Sequence, residues 1–180
     1  MKTAAGCTAL LALLLLVAVP SNAARSVTDL YQPIYLSGIW RLQIGDEPQW
    51  YSPEIDDTGW QATAVPGPAP IGQTGYGGML WYRLTLDLDV PQSSVSRELN
   101  ALAVVIGDVQ SAYEVFAGGV RLGGIGEMPP GPQAVYDQRH TWAVPAEAVS
   151  NDGRLVLALR VWRDPKLPAS WETGPYGGEF

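Results

Sequence analysis

From Met79 to Pro91 the chain reads MLWYRLTLDLDVP, and every even position from Leu80 through Tyr82, Leu84, Leu86 and Leu88 to Val90 is apolar or aromatic. The odd positions run Trp81, Arg83, Thr85, Asp87 and Asp89. A period of two predicts a strand with one buried face. So many large side chains on one face need a second layer to cover them, and the other segments are read as what supplies that cover. Trp81 and Arg83 fall on the opposite face, where a ring and a guanidinium two residues apart could grip a ligand or lie under a loop.

Leu36 to Gly45 (LSGIWRLQIG) predicts a strand with Trp40, Leu42 and Ile44 facing in. Asp46 to Pro70 has almost no period and is expected to be irregular, pinned by Trp50, Tyr51, Ile55, Trp60 and Val65. Within it Asp56-Asp57-Thr58-Gly59 has the composition of a tight turn, because an Asp carboxylate can accept from backbone amides just ahead of it. Ile71 to Gly78 is a glycine-rich loop with Tyr76 at its tip, and Gln92 to Asn100 is polar and turn-like. Ala101 to Ile106 (ALAVVI) is continuously apolar, which predicts a central strand covered on both faces. Ala112 to Ala117 and Val120 to Leu122 flank Gly118-Gly119, a two-residue hairpin signal. Gly123 to Pro132 is expected to be a loop. Ala134 to Val144 predicts a strand with Tyr136, His140, Trp142 and Val144 on one side and Asp137, Arg139 and Thr141 on the other. Pro145 to Val149 can make one helical turn, and Leu155 to Trp162 (LVLALRVW) closes the pattern as a buried strand. Many short strands separated by turn signals, with no long helix, predict an all-β sandwich.

Composition changes this picture at the ends and on the surface. Lys2, an apolar block from Ala9 to Val19 and the small-residue site Ser21-Asn22-Ala23 follow the order of a secretory signal peptide over 1–23. The block falls short of the roughly 20 residues a bilayer-spanning helix needs. Cleavage after Ala23 is expected, which places the remainder outside the cytoplasm, periplasmic or on the outer face of the membrane. Cys7 precedes the apolar block, the wrong side for a lipoprotein cysteine, and no other cysteine exists. The domain must therefore hold itself together by its core, which a chain of this size can do. The net charge is −7 with no cluster of Lys or Arg, which argues against nucleic acid and against an anionic membrane surface as partners. Seven Trp and eight Tyr stand against two Phe, side chains that suit half-buried loop packing or a ligand face. Residues 24–163 are read as the sandwich. The Pro- and Gly-rich stretch 164–180 is read as a linker, with any membrane contact made only by segments beyond Phe180.

Several short marks recur in a recognisable order: Gly38-Ile39-Trp40, the turn Asp56-Asp57-Thr58-Gly59-Trp60 with Val65-Pro66 behind it, and Trp81-Tyr82-Arg83. Val105-Ile106-Gly107-Asp108, the hairpin Glu114-Val115-Phe116-Ala117-Gly118-Gly119 and the closing Leu157-Ala158-Leu159-Arg160-Val161 complete it. Together, over about Leu36 to Arg163, they resemble the galactose-binding-like jelly roll at the N-terminus of family 2 glycoside hydrolases such as β-galactosidase. Two features depart from that pattern. Gly118-Gly119 stands where those hydrolases usually carry Asn-Gly, and Met128-Pro129-Pro130-Gly131-Pro132 leads to Tyr136-Asp137-Gln138-Arg139-His140. The variant is similar to the extracytoplasmic input domains that precede membrane helices in bacterial histidine kinases, diguanylate cyclases and sporulation-type phosphatases. The resemblance implies a jelly-roll β-sandwich without the catalytic barrel.

The remaining residues offer little catalytic chemistry. One histidine, His140, and no Gly-x-Ser-x-Gly elbow argue against a serine nucleophile with a histidine base, and the scarcity of His and Cys argues against a zinc-type site. Asp56-Asp57 or Asp87 with Asp89 could serve a structural Ca²⁺, although a solvated turn and a polar strand face explain them as well. No cofactor is expected. Gly123-Gly124-Ile125-Gly126 lacks the Lys-Ser/Thr of a phosphate loop and is read as a turn. Trp40, Tyr82 and Tyr113 are assigned to the core, and Trp60 to anchoring its loop. Trp50, Tyr51, Tyr76, Trp81, Arg83, Arg139 and His140 are the ligand candidates, since sugars are gripped by aromatic faces plus a few hydrogen-bonding groups. Arg83 could instead pair with Asp87, Asp108 or Glu114. The expected function is that of a non-catalytic ligand-binding sensory domain, with a saccharide or other small molecule as ligand, in a membrane-anchored signalling protein. The rival is a sugar-binding accessory domain of a secreted glycoside hydrolase, and a third reading is a packing domain without a ligand.

Overall fold

The structure is a computed structural model describing residues 24–30, 32–68, 76–89, 102–107, 109, 111–135 and 138–166. Residues 1–23, read above as a leader, residues 71–75 and 92–100, expected to be loop and turn, Val90, Asp108, Tyr136, Asp137 and residues 167–180, expected to be a linker, lie outside the described residues. Among those described, nine strands form: β1 (Arg25–Val27), β2 (Gly38–Ile44), β3 (Gln61–Val65), β4 (Gly78–Leu88) and β5 (Leu102–Ile106), then β6 (Ala112–Ala117), β7 (Val120–Ile125), β8 (His140–Val144) and β9 (Arg154–Arg163).

The strand predicted from the alternation at Met79 to Pro91 is β4, and it is the spine of a seven-stranded sheet of order β3-β2-β4-β9-β6-β7. One edge of β4 pairs with β9 in antiparallel register from Gly78↔Arg163 to Asp87↔Arg154. The other edge is shared, antiparallel to β2 over Leu80 to Arg83 and parallel to β1 over Leu86 to Leu88. β5 and β8 make a separate two-stranded sheet. Leu80, Tyr82, Leu84 and Leu86 of β4, Leu155, Leu157, Leu159 and Val161 of β9, and Tyr113 and Val115 of β6 point into one core. Leu102, Val104, Ile106 and Val144 from the small sheet close that core from the other side. Two facing sheets around one apolar layer make this an all-β jelly-roll sandwich. Trp40, Tyr82 and Tyr113 are core residues, as expected.

Several expectations need correction. Gln61–Val65, inside the segment expected to be irregular, is strand β3, because Gln61 to Val65 pairs with Leu42 to Gly38 of β2. Ile44 ends its strand 43% exposed rather than facing in. Leu102–Ile106 alternates between buried and half-buried positions in the two-stranded sheet and is not a central strand. Of the described residues in Ala134 to Val144 only His140–Val144 form a strand, while Val135 makes an isolated bridge to Ser111. Gly123 and Gly124 are not a turn; they continue β7 opposite Val115 and Glu114. The reason lies across the core: a Cβ on Gly123 would stand 2.0 Å from the Trp142 ring, which occupies that space. Gly118-Gly119 does turn the β6–β7 hairpin, with φ of +52° and +86°, the pair of positive values that a tight hairpin turn of the primed type requires. The helical turn after Pro145 is present as a 3₁₀ turn, Ala146–Ala148.

Candidate functional site: a polar cleft walled by a pinned loop

The sheet has two covered faces. Odd positions of β4 put Trp81 and Arg83 on the outer face, and both are 1% exposed because residues 46–60 lie over them. That segment is a run of tight turns, with the N–H of Trp50 donating to the Glu47 carbonyl and that of Ser52 to the Gln49 carbonyl. The Arg83 guanidinium fastens it. Nε donates to Asp57 Oδ2 at 2.9 Å, and one Nη donates to the carbonyls of Trp50 at 2.7 Å and Ser52 at 2.9 Å. The same guanidinium sits 5.6 Å from the Trp60 ring centroid, within cation–π range. Among the described residues its ion-pair partner is therefore Asp57 and not Asp87 or Glu114, while Asp108 lies outside them. Neighbouring Asp56 accepts from the Thr58 N–H at 3.0 Å, closing the turn expected there, and the Thr58 hydroxyl and then its N–H hold that carboxyl below the usual range.

Aromatic rings fill the layer between loop and sheet. Trp50 meets Trp60 edge-on at 5.2 Å and Trp81 at 6.4 Å. Phe116 of β6 is stacked between Trp81, at 5.7 Å, and Tyr51, at 5.2 Å. Beside them runs a line of charge: Arg160 binds Asp46 and Glu114, and Arg121 binds the other oxygen of Glu114. The Arg160 hydrogen bond, ahead of one from the Trp81 indole, holds the Asp46 carboxyl below the ordinary range against the opposing effect of burial. Arg160 is raised correspondingly.

Past Tyr51 the loop drops to the end of the sheet, and there Pro53 and Glu54 form one wall of a cleft of about 270 Å³. Glu147 and Ala148 of the 3₁₀ turn, with Gly118 and Val156, also line it. Ser150, Asp152 and Arg154, from the turn entering β9, complete it. The Ser150 hydroxyl donates to Asp152 Oδ1 and lies within hydrogen-bond distance of the Arg154 carbonyl and N–H. The bond to Asp152 is the main reason that carboxyl is held below its usual range. Glu54 and Glu147 make no side-chain hydrogen bond or ion pair to other described residues, and Arg154 acts on the Asp152 carboxylate through its charge. The cleft thus offers the acceptors of Glu54 and Glu147, the Arg154 guanidinium beside Asp152 and the apolar side of Pro53. Those are the elements that hold a small polyhydroxylated ligand.

Of the seven candidates taken from the sequence, Trp50, Tyr51, Trp81 and Arg83 are brought together in the covered outer layer, with Tyr51 38% exposed at its rim. Tyr76 is elsewhere, half-buried against the main core with its hydroxyl donating to the Met79 carbonyl at 3.2 Å; burial raises its phenol. Arg139 is exposed, and His140 is exposed on the small sheet, stacked on Trp142 at 5.4 Å. None of the residues that line the cleft was taken from the sequence as a ligand residue. They come from three distant segments, and the local signals among them, the Gly118-Gly119 hairpin and the Pro145 to Val149 turn, were read as structural. Among the described residues no group of three or more His, Cys, Asp or Glu side chains is placed to hold a metal ion. No helix among them is long and apolar enough to cross a membrane.

No protein-family model matches the chain, and no curated protein matches it. Solved structures do, and they share the β-sandwich fold. A β-glucuronidase of glycoside hydrolase family 2 superposes over 82% of this chain with a TM-score of 0.59 at 12% identity. Bacteroides uniformis β-glucuronidase does so over 76% with a TM-score of 0.55 at 18% identity. Bifidobacterium dentium β-glucuronidase, solved with coumarin-3-O-glucuronide, follows over 78% with a TM-score of 0.51 at 16% identity. The chain spans only 18%, 15% and 22% of the lengths of those three. What is shared is one all-β domain of much larger enzymes.

Proposed function

We propose that this chain is a non-catalytic, saccharide-binding module, with the cleft between Pro53-Glu54 and Asp152-Arg154 as its ligand site. The observation that carries the reading is the set of exposed polar side chains, Glu54, Glu147 and Arg154, gathered at that cleft. Elsewhere on the sheet Arg83, Arg121 and Arg160 are engaged with protein acceptors. The fold shared with a domain of enzymes that act on glycosides supports the ligand class. Of the two settings for such a module, an accessory domain beside a catalytic barrel is supported by that fold. The sensory domain of a membrane-anchored signalling protein is favoured instead by the leader-like Ala9 to Val19 block and the Pro- and Gly-rich 164–180 stretch.

The test is isothermal titration of the purified chain with neutral, amino and acidic monosaccharides and short oligosaccharides. Weak saturable binding that disappears in Arg154→Ala is the expected result. Absence of heat from every sugar at millimolar concentration overturns the reading. Fractionation of the natural host separates the two settings, since a sensor sediments with membranes and an accessory domain of a secreted enzyme does not.

A further inference from the structure

Apart from any ligand, we infer that Asp152-Gly153 is a site of covalent self-modification, the isomerisation of aspartate to isoaspartate, which the native turn around Ser150 holds closed. Asp152-Gly153 is the only Asp-Gly pair in the chain, and the chain has no Asn-Gly pair. In such a pair the backbone nitrogen that follows the aspartate attacks the carbon of its side-chain carboxyl. The new C–N bond closes a succinimide ring, and the amide proton leaves with the carboxyl hydroxyl as water. Water then opens the ring at either carbonyl, returning aspartate or leaving isoaspartate, whose main chain runs through the former side chain. Glycine is the most permissive follower because no Cβ hinders the approach.

Both reacting groups are occupied in the fold, and by the same residue. The Gly153 N–H donates to the Ser150 carbonyl at 3.0 Å, in a turn where Gly153 takes φ of +84°. The Ser150 hydroxyl donates to Asp152 Oδ1 and accepts from the Arg154 N–H at 2.9 Å. Ser150 thus restrains the nucleophile through its carbonyl and the electrophile through its side chain. The hydroxyl is also the first cause that holds the Asp152 carboxyl below its ordinary range, and the ionised carboxylate lacks the hydroxyl that must leave. Asp152 itself is exposed, so hydrogen bonds rather than burial guard it. The same turn starts β9. The Gly153 carbonyl accepts from the Leu88 N–H at 2.9 Å, and Arg154 is the first β9 residue in register with β4, opposite Asp87. An extra main-chain carbon at 152 displaces both contacts, so one reaction during a brief opening becomes a lasting loosening of the β4–β9 end.

The test incubates the purified chain at neutral pH, in native buffer and in denaturing urea, and measures isoaspartate by peptide mapping that separates isoaspartyl from aspartyl peptides. Isoaspartate is expected at Asp152 in both, and faster in urea by roughly tenfold or more, since the native turn must open first. Ser150→Ala, where it still melts cooperatively, is expected to isomerise roughly fivefold faster than the parent chain in native buffer, the net worth of one hydrogen bond. Ser150→Thr keeps the hydroxyl and the parent rate. The isomerised chain, separated from the unmodified one, is expected to melt at lower temperature. Equal rates in native buffer and urea overturn the inference, as does isoaspartate that forms elsewhere and not at Asp152. A folded Ser150→Ala with the parent rate removes Ser150 as the guard. If that variant does not fold, the comparison of native and urea rates in the parent chain decides.

Discussion

Arg83 is the residue on which the outer layer depends. It is 1% exposed and paired to Asp57, itself 5% exposed, and a buried pair is costly to break by halves because the remaining charge has no partner. Arg83→Met is expected to destabilise the chain by about 3–5 kcal/mol. The double change with Asp57→Leu recovers a large part of that, as read from urea midpoints. Trp81→Ala, at the centre of the same layer, is expected to cost about 3–5 kcal/mol in the same assay. Asp46 adds a pH dependence whose direction follows from its hydrogen bond to Arg160. Its carboxyl titrates lower in the folded chain than in the unfolded one, so its contribution is complete above the unfolded value near pH ~3.9 and fades as pH falls through the folded one. Asp46→Asn should therefore flatten the acid limb of a stability–pH curve below about pH 4 and reduce stability at neutral pH. Residue roles of this kind were only half legible. The alternation of β4 placed Trp81 and Arg83 on the non-core face correctly, but periodicity says nothing about what a distant loop lays over that face. The partner of Arg83 was therefore missed although Asp57 was already recognised as a turn residue.

At the scale of elements, glycine carries two different jobs that read alike in sequence. Gly118 turns the β6–β7 hairpin at φ +52°, and a Cβ there would also stand 1.9 Å from the Ala148 carbonyl oxygen. Gly118→Ala is expected to lower stability by more than ~1 kcal/mol, and because the Ala148 turn is also a cleft wall, it should weaken any cleft ligand. A thermal melt alongside a binding titration checks both. Gly123, in contrast, is extended strand, and its missing side chain makes room for the Trp142 ring. A string of glycines looks like a loop unless the filler from across the core is known, which is why β7 was cut short on paper. β3 was missed for a related reason. Gln61-Ala62-Thr63-Ala64-Val65 has weak alternation of its own, and its pairing with β2 supplies the order that its side chains do not. β4, β6 and β9 were legible because their inward positions are large and regular, a signal that survives without tertiary information.

At the scale of the whole molecule, the sandwich could be read from its strands and turns, whereas the cleft could not. Its walls lie at Pro53-Glu54, Gly118, Glu147-Ala148 and Asp152-Arg154, and only folding brings those segments together. β9 runs the length of the main sheet between β4 and β6, yet it is the last strand of the described chain to be made. A fragment ending at Ser150 lacks it entirely, and circular dichroism of that fragment is expected to show no cooperative melt. The same arrangement has a temporal side. A nascent polypeptide emerging residue by residue has every other strand in hand but no middle for its larger layer until Arg154 to Arg163 arrives. Closure of that layer must therefore await the emergence of those ten residues themselves.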